Sequence, residues 1–354
     1  MPGYTVTISP GILETAGMFV HAATRGHRYA VIADLAVAAR HGTTLLNSFP
    51  PGEAHLFTFA GGEPAKTRET WARLTDEMAE QHLGRDTVVV SLGGGVAGDL
   101  AGFVAATFMR GVPVAHVPTT LLAMVDASIG GKAGVDIPAG KNLVGAFHQP
   151  SAVIIDPLCL ATLPPNELRA GMAEVLKHGV IADALFFERT VAALPTLYAP
   201  DGAGTMAMVE VIRRAASIKC DVVRRDEREA GLRHVLNFGH TIAHAIELVS
   251  HYAIPHGEAV AIGMVVEARI AERLGLAESL TAERLERALV AAGLPVARPE
   301  HLGAEAILAA TRLDKKSRAG TVRYALPERI GAMCAGGGLW SVPVPDEVVR
   351  EALT

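Results

Sequence analysis

Cysteine is nearly absent from this sequence. Cys159, Cys220 and Cys334 are the three in 354 residues, far apart and with no C-x-x-C pair. That excludes a disulfide scaffold and a cysteine-rich zinc site, and it fits a reducing compartment; a cytoplasmic location is expected. Long apolar runs are missing too. Gly, Pro or charge breaks each one before 18 residues, so no membrane span is expected. The opening Met-Pro-Gly-Tyr-Thr-Val lacks a basic stretch followed by an apolar run, so no secretory signal is read there. No period of 20–50 residues repeats. There is no basic block: 32 Lys and Arg stand against 37 Asp and Glu, a net charge of −5. That disfavours a nucleic-acid partner but leaves small anionic substrates open, because those respond to local fields.

What is present points to a globular chain. Half the residues are hydrophobic and 19% are charged, which excludes a disordered chain and allows a sizeable core. The length suggests about two domains. In the first part, short β-rich runs alternate with helical segments. Strands are expected at Tyr29–Ala33, His55–Ala60, Asp86–Leu92, Val112–Val117 and Ala152–Ile155, with helices at Lys66–Leu83 and Asp99–Met109. That alternation predicts βαβ units and a parallel sheet. After Leu163-Pro164-Pro165 the pattern turns helical. Apolar residues recur at three- and four-residue spacing over 167–178, 207–223, 236–249, 256–274 and 281–292. A brief β signal returns at Thr321–Leu326. The expected organisation is an α/β domain over 1–160 and a mostly α-helical domain over 161–354.

Four groups of residues carry chemistry. Gly93-Gly94-Gly95-Val96-Ala97-Gly98-Asp99 follows a predicted strand and leads into a predicted helix. Glycines there let backbone amides approach a pyrophosphate at a helix N-terminus. The spacing departs from G-x-G-x-x-G, and a tight strand–helix turn explains a glycine cluster equally well. A second Gly-rich unit runs from Thr119-Thr120 through Asp126 and Gly130-Gly131-Lys132 to Gly140-Lys141-Asn142. It is too apolar for an ordinary exposed loop, and polar groups embedded in such a stretch need partners. Third, Glu174 on a predicted helix, His240, His244 and His256 supply one carboxylate and several imidazoles, a donor set that suits a catalytic zinc ion. His240 and His244 share a helix face, and His256 lies 16 residues beyond His240. Spacing does not decide which two histidines would ligate, and capping or surface histidines are the plain alternative. Fourth, Lys177, Lys219, Arg233 and Lys315-Lys316 are cations suited to phosphate or carboxylate oxygens, although a lone Lys or Arg is usually solvated or salt-bridged.

Taken together, these stretches resemble the 3-dehydroquinate synthase family. The resemblance runs from about Gly61 to Leu326, through GGEPAK (61–66), SLGGGVAGDLAGFVAATFMRGV (91–112), VPTTLLAMVDASIGGKAGVD (117–136), GKNLVGAFHQP (140–150), LPPNELRAGMAEVLKHG (163–179), DEREAGLRHVLNFGHTIAHAIE (226–247), HGEAVAIGM (256–264) and DKK (314–316). It implies an N-terminal NAD-binding domain, a helical C-terminal domain and an active site in the cleft between them. It implies a divalent metal, Zn2+ or Co2+, on Glu174, His240 and His256. His244 then takes a role near substrate, in proton transfer. The implied NAD contacts are Glu63, Lys66, Gly94, Gly95, Gly98, Asp99, Thr119, Thr120, Lys132, Lys141 and Thr162. The implied catalytic positions are Asp126, Lys132, Lys177, Arg233, Asn237 and His244; substrate binding falls to Arg110, Asn142, Lys219 and a lysine of the pair Lys315 and Lys316, with Lys315 the first choice. The substrate implied is a small sugar phosphate, and the assembly a homodimer. Related cyclases that act on substrates without a carboxylate are the nearest alternative, followed by a metal-dependent alcohol dehydrogenase of the glycerol dehydrogenase type. A nucleotide-binding regulatory module would leave Glu174, His240 and His256 unexplained.

Overall fold

The structure is a computed structural model that describes residues 3–312 and 322–354; Asp314, Lys315 and Lys316 lie outside the described residues. Two compact units emerge: Met1–Pro164 with Ala199–Ala216, and Pro165–Tyr198 with Ser217–Thr354. The expected single cut at residue 160 carries no such return of the chain. The returning piece contains the turn Gly202–Gly204, which packs on the helical turn Pro157–Thr162. A Cβ on Gly204 would stand 2.7 Å from Leu158 Cδ2, so the two turns pack closely.

The first unit begins with β1 (Thr5–Ile8), α1 (Ala16–Thr24), β2 (Arg28–Asp34), α2 (Leu35–Val37), α3 (Thr43–Asn47) and β3 (Ala54–Phe59). It continues with α4 (Arg68–Glu80), β4 (Thr87–Gly93), α5 (Gly95–Thr107), β5 (Val114–Pro118), β6 (Lys132–Ile137), β7 (Gly140–Phe147) and β8 (Ala152–Ile155). Six strands form one parallel sheet in the order β1-β8-β5-β4-β2-β3. Every residue of β4 is buried, as a β-branched run covered on both faces requires. α5 starts at Gly95, four residues before the expected Asp99. Its glycine-rich first turn is a poor helix former, but Leu100 and Val104 bury against Ile32, Val89 and Val135, and that packing decides the local structure. The second Gly-rich unit holds an antiparallel hairpin, β6 with β7, that the sequence reading leaves out. At Gly145 a Cβ would lie 2.2 Å from the Ala133 carbonyl oxygen, so only glycine lets these strands close. Gly102 of α5 in turn admits Ala133, seating the hairpin on the helix.

The second unit is mostly helical. It contains α6 (Pro165–Ala182), α7 (Ala184–Leu197), the second half of α8 (Met206–Arg225), α9 (His240–Val249) and α10 (His256–Arg273). α11 (Thr281–Ala291), α12 (Ala304–Thr311) and α13 (Asp346–Leu353) follow. β9 (Arg323–Tyr324), β10 (Pro327–Arg329), β11 (Ala332–Met333) and β12 (Val342–Pro343) make two small antiparallel pairs, β9 with β12 and β10 with β11. One expectation is corrected. Residues 236–249 are not one helix: Leu232–Asn237 is a 3₁₀ turn, and Gly239 at φ 80° breaks the chain before α9. Among the described residues, no helix is long and apolar enough to cross a membrane.

Two glycines set the helix packing. A Cβ on Gly257 would come 2.3 Å from the Ala170 carbonyl oxygen, and one on Gly263 would come 2.0 Å from that of Gly239. α10 therefore approaches α6 and the start of α9 at backbone distance. The first contact is made at Ala170, one turn before Glu174 on α6, and it fixes the start of α10, where His256 stands. The second fixes the turn that carries His240.

Candidate functional site

In the first unit, β3 lies on one side of β2 and β4 on the other, so the winding of the sheet reverses between β2 and β4. The crevice beyond the carboxyl ends of strands at such a reversal is where parallel sheets bind ligands. Asp34 ends β2 there, and Gly93 ends β4. The Asp34 carboxylate accepts the amides of Ala36 and Val37 through Oδ1, and its Oδ2 lies 3.7 Å from where a Cβ on Gly93 would stand. In nucleotide-binding folds an acid at such a strand end recognises ribose hydroxyls. Asp34 follows directly on the expected strand Tyr29–Ala33 and is not among the expected site residues; an acid closing a buried apolar run was the available signal.

Around this crevice the glycines are used in different ways. A Cβ on Gly94 would press on Thr120 Cγ2 at 3.0 Å, whereas one on Gly98 would meet nothing within 4 Å. Gly98 lies in the first turn of α5, so open space is kept beside a helix N-terminus. The Thr119 amide donates to the Gly93 carbonyl at 2.9 Å, and Thr120 Oγ1 accepts from the Ala123 amide at 3.1 Å.

Beside them lies a charge network. Lys66, 3% exposed, places Nζ 2.7 Å from Glu63 Oε1, 3.2 Å from Asp99 Oδ2 and 3.7 Å from Asp136 Oδ1. Lys141 Nζ stands 3.7 Å from the same Glu63 oxygen. Burial opposes a charged ammonium, but Asp99 and Glu63 outweigh it and hold Lys66 above its ordinary range. Burial pushes the Asp99 carboxyl up to about 6, against the pull of Lys66. Asp136, which the sequence reading missed, also accepts the Asn142 amide at 2.8 Å and so anchors a residue held at φ 51°. Lys132 is exposed at the start of β6, and Asp126 is half-buried in the turn after β5. Thr162 Oγ1 bonds His41 Nε2 at 2.9 Å. Arg110 is exposed beyond the C-terminus of α5, so a 13-residue helix, about 20 Å long, separates it from the glycine loop.

In the second unit, Glu174, His240 and His256 come together, with ligand atoms all within 4.8 Å of one another. Glu174 is fully buried on α6, and its Oε1 lies 3.6 Å from His240 Nε2 and 3.7 Å from His256 Nε2. Ligands about 2.0–2.1 Å from a tetrahedral ion stand about 3.3 Å apart, so a small contraction closes this set on zinc. Both rings are oriented for it. His240 Nδ1 sits 3.1 Å from the Phe238 carbonyl, which can only accept, so Nδ1 carries the proton and Nε2 keeps its lone pair. Burial, with Lys177 adding to it, holds His240 well below its ordinary range, so the ring is neutral. His256 Nδ1 faces Glu247 Oε1 at 3.4 Å. Burial opposes protonation of His256, but Glu174 and Glu247 raise it to about 10; a metal entering here displaces a proton. His244 is not in the triad; its ring meets that of His240 edge-on, with centroids 5.6 Å apart.

The cations gather in the same unit. Lys177, 1% exposed, pairs with Glu174 one turn away on α6. Lys219 on α8 and Arg233 are also buried. The loop before Arg233 is organised by Asp226, whose carboxylate accepts the amides of Ala230, Gly231 and Arg233. Arg233 Nη1 donates to the Glu227 carbonyl at 2.6 Å, and Asn237 Nδ2 donates to Glu229 Oε1 at 2.7 Å. Asp226, Glu229 and Glu247 all escaped the sequence reading. For Glu247 the signal was its spacing, since 240, 244 and 247 share one helix face.

Comparison with known proteins adds the family. The 3-dehydroquinate synthase N-terminal model matches residues 56–170, and the C-terminal model matches residues 171–317. The chain belongs to the 3-dehydroquinate synthase family. It is 46% identical over 308 residues to 3-dehydroquinate synthase of Xylella fastidiosa, covering 84% of this chain and 82% of the relative. Among solved structures it is similar to 2-epi-5-epi-valiolone synthase from Streptomyces hygroscopicus with NAD+ and Zn2+ bound, at TM-score 0.88 and 30% identity, covering 99% of this chain and 95% of that one. It is also similar to 2-deoxy-scyllo-inosose synthase complexed with carbaglucose-6-phosphate, NAD+ and Co2+, at TM-score 0.87 and 28% identity, covering 98% of this chain and 95% of that one. The expected fold class, an α/β dinucleotide-binding-type domain followed by a helical domain, is the one observed.

Proposed function

We propose that this member of the family is itself a 3-dehydroquinate synthase. It converts 3-deoxy-D-arabino-heptulosonate 7-phosphate to 3-dehydroquinate and phosphate. The observation that carries this reading is the second unit's combination of the Glu174, His240 and His256 triad with buried Lys177, Lys219 and Arg233. That combination supplies metal ligands and cations for an anionic substrate within one unit. Relatives acting on substrates without a carboxylate have less need of Lys219, Arg233 and Asn237.

NAD held by the first unit would supply reversible hydride transfer at C5, and a divalent ion held by Glu174, His240 and His256 would supply Lewis-acid polarisation of the C5 oxygen, with no net redox change. Gly98 leaves room for a pyrophosphate at the N-terminus of α5, with Gly94 and Gly95 forming the turn into it, and the first-turn amides are its donors. Asp34, Glu63, Lys66 and Asp99 offer polar partners to the ribose groups, with Thr119, Thr120, Lys132, Lys141 and Thr162 as further contacts. Arg233, Lys219, Asn142 and one of Lys315 and Lys316 bind phosphate and carboxylate oxygens by charge-assisted hydrogen bonds. Asn237 and Lys177 orient the hydroxyls next to the triad, and His244 moves a proton at the C5 hydroxyl. Asp126, near Lys132 in sequence, orients polar groups where the first oxidation occurs. Phosphate leaves by β-elimination, and the substrate's own phosphate oxygen accepts the proton, so no strong protein base is needed. The enzyme is read as a cytoplasmic homodimer, which sedimentation checks.

The test is phosphate release from the heptulosonate phosphate by purified protein with NAD and zinc. Release without accumulation of NADH is expected. No release, or one NADH per phosphate, overturns the reading. Turnover of a hexose 6-phosphate instead assigns the chain to the cyclases that lack the carboxylate.

A further inference from the structure

The two helices that carry the histidines each carry a buried carboxylate aimed at the other's N-terminus. Glu247, 4% exposed, lies two turns into α9 and faces His256 Nδ1, at the first residue of α10. Glu267, fully buried, lies three turns into α10, and its Oε2 accepts the Gly239 amide at 2.7 Å. Its Oε1 lies 3.4 Å from the Ile242 amide. Those are amides of the N-terminal turn of α9, which has no carbonyl partner of its own.

The sequence explains why the cap comes from another helix. Gly239 precedes His240 at φ 80°, and a Cβ there would stand 2.6 Å from Met264 Cγ and 2.9 Å from the Val260 carbonyl oxygen. Only glycine fits, so the usual Ser, Thr or Asp cap is excluded at that position. Glu267, on the same face of α10 as Val260 and Gly263, supplies the acceptor instead. It fixes the turn that aims His240. Glu247, on the same stripe of α9 as His240 and His244, fixes the ring of His256.

We propose that Glu247 and Glu267 are positioning residues for the metal centre, exchanged reciprocally between α9 and α10. Each helix bears the acid that orients the other helix's ligand histidine. Glu247 acts on the imidazole, holding its Nδ1–H so that Nε2 points at Glu174. Glu267 acts on the backbone, holding the 239–242 amides so that His240 starts the helix in one orientation. The inference rests on the metal reading above. Partners of this kind orient ligand rings and raise their basicity, and losing one typically weakens metal binding about 10–100-fold.

The experiment measures zinc affinity by competition with a chromogenic chelator and the visible spectrum of the cobalt-substituted protein, with melting of the metal-free protein alongside. Glu247→Gln is expected to weaken zinc about 10–100-fold and to shift the cobalt bands, and to lower the metal-free melting temperature as well, because the buried charge pair with His256 is lost. Glu267→Gln is expected to weaken zinc and broaden the cobalt bands wherever the variant folds. Glu258→Gln, two residues from His256, is the charge control and leaves all three readouts as in the parent. Parental zinc affinity and cobalt spectrum in Glu247→Gln overturn the proposal, even if Glu267→Gln fails to fold. If the parent protein itself binds no zinc, the metal reading fails first, and the two failures are distinguishable.

Discussion

Two single residues report on the first unit. Gly98 sits in the first turn of α5 with nothing within 4 Å of a would-be Cβ, so Gly98→Ala costs no packing. Alanine removes backbone freedom from the unfolded chain, so about 0.5–1 kcal/mol of added stability is expected. The same methyl fills the space assigned to a pyrophosphate, so NAD binding is expected to weaken. Calorimetric melting and NAD titration check both signs, and a variant that is more stable with undiminished affinity rules out Gly98 as a cofactor contact. His116 is buried, with Nδ1 2.7 Å from Ser91 Oγ. Burial lowers it from 6.5 to about 4, with His148 adding to the shift. The unfolded chain therefore binds a proton that the folded chain refuses between pH 6.5 and 4, and stability is lost as pH falls through that window. The melting-temperature gap between parent and His116→Gln is expected to narrow from pH 7 to pH 4.5. At this scale the residue types at the site are legible in the sequence, because Glu174, His240 and His256 sit in dense motifs. Asp136, Glu229 and Glu267 are not, since an acid acting on another residue's backbone or side chain looks like any other charge until the fold is known.

Helices and strands are readable where a period survives. β2, β3, β4 and β8 are nearly continuous apolar runs and stand close to where the sequence places them. The hairpin of β6 and β7 is hidden, because Gly134 and Gly145 interrupt its alternation for the sake of strand contact. α9 is misread at its start for a related reason: apolar spacing continues through Val235, Leu236 and Phe238 into a turn that Gly239 breaks. The second unit rests on two backbone contacts, and they make a test. Gly263→Ala places a methyl 2.0 Å from the Gly239 carbonyl oxygen, so either α9 or α10 must move. A loss of about 3 kcal/mol, the upper range for overpacking, is expected in denaturant unfolding. Zinc affinity is expected to fall with it, because the displaced turn carries His240. An unchanged midpoint means that the two helices do not depend on this contact.

For the molecule as a whole, the net charge of −5 bounds polymeric partners and leaves a cationic site intact, since Lys177, Lys219 and Arg233 are buried in one unit. The change of period near residue 160 lies close to the step from Pro164 to Pro165 between the two units. The return of residues 199–216 was not legible, because nothing local marks which side an apolar helix face will join. Met208, Ile212 and Ala215 on that segment are fully buried. A fragment ending at Pro164 is therefore expected to expose apolar surface and bind a hydrophobic dye, whereas one that also carries 199–216 through a linker binds less; equal dye binding refutes this division. The pairing of α9 with α10 has a last consequence, for the order of folding. Only residues 250–255 separate these helices, so the contacts that hold His240 and His256 are short-range along the chain, and such contacts form fast. Glu174 reaches them from a helix far earlier in the sequence. Two of the three ligands thus belong to a local hairpin that assembles early, and the carboxylate from α6 closes the set late.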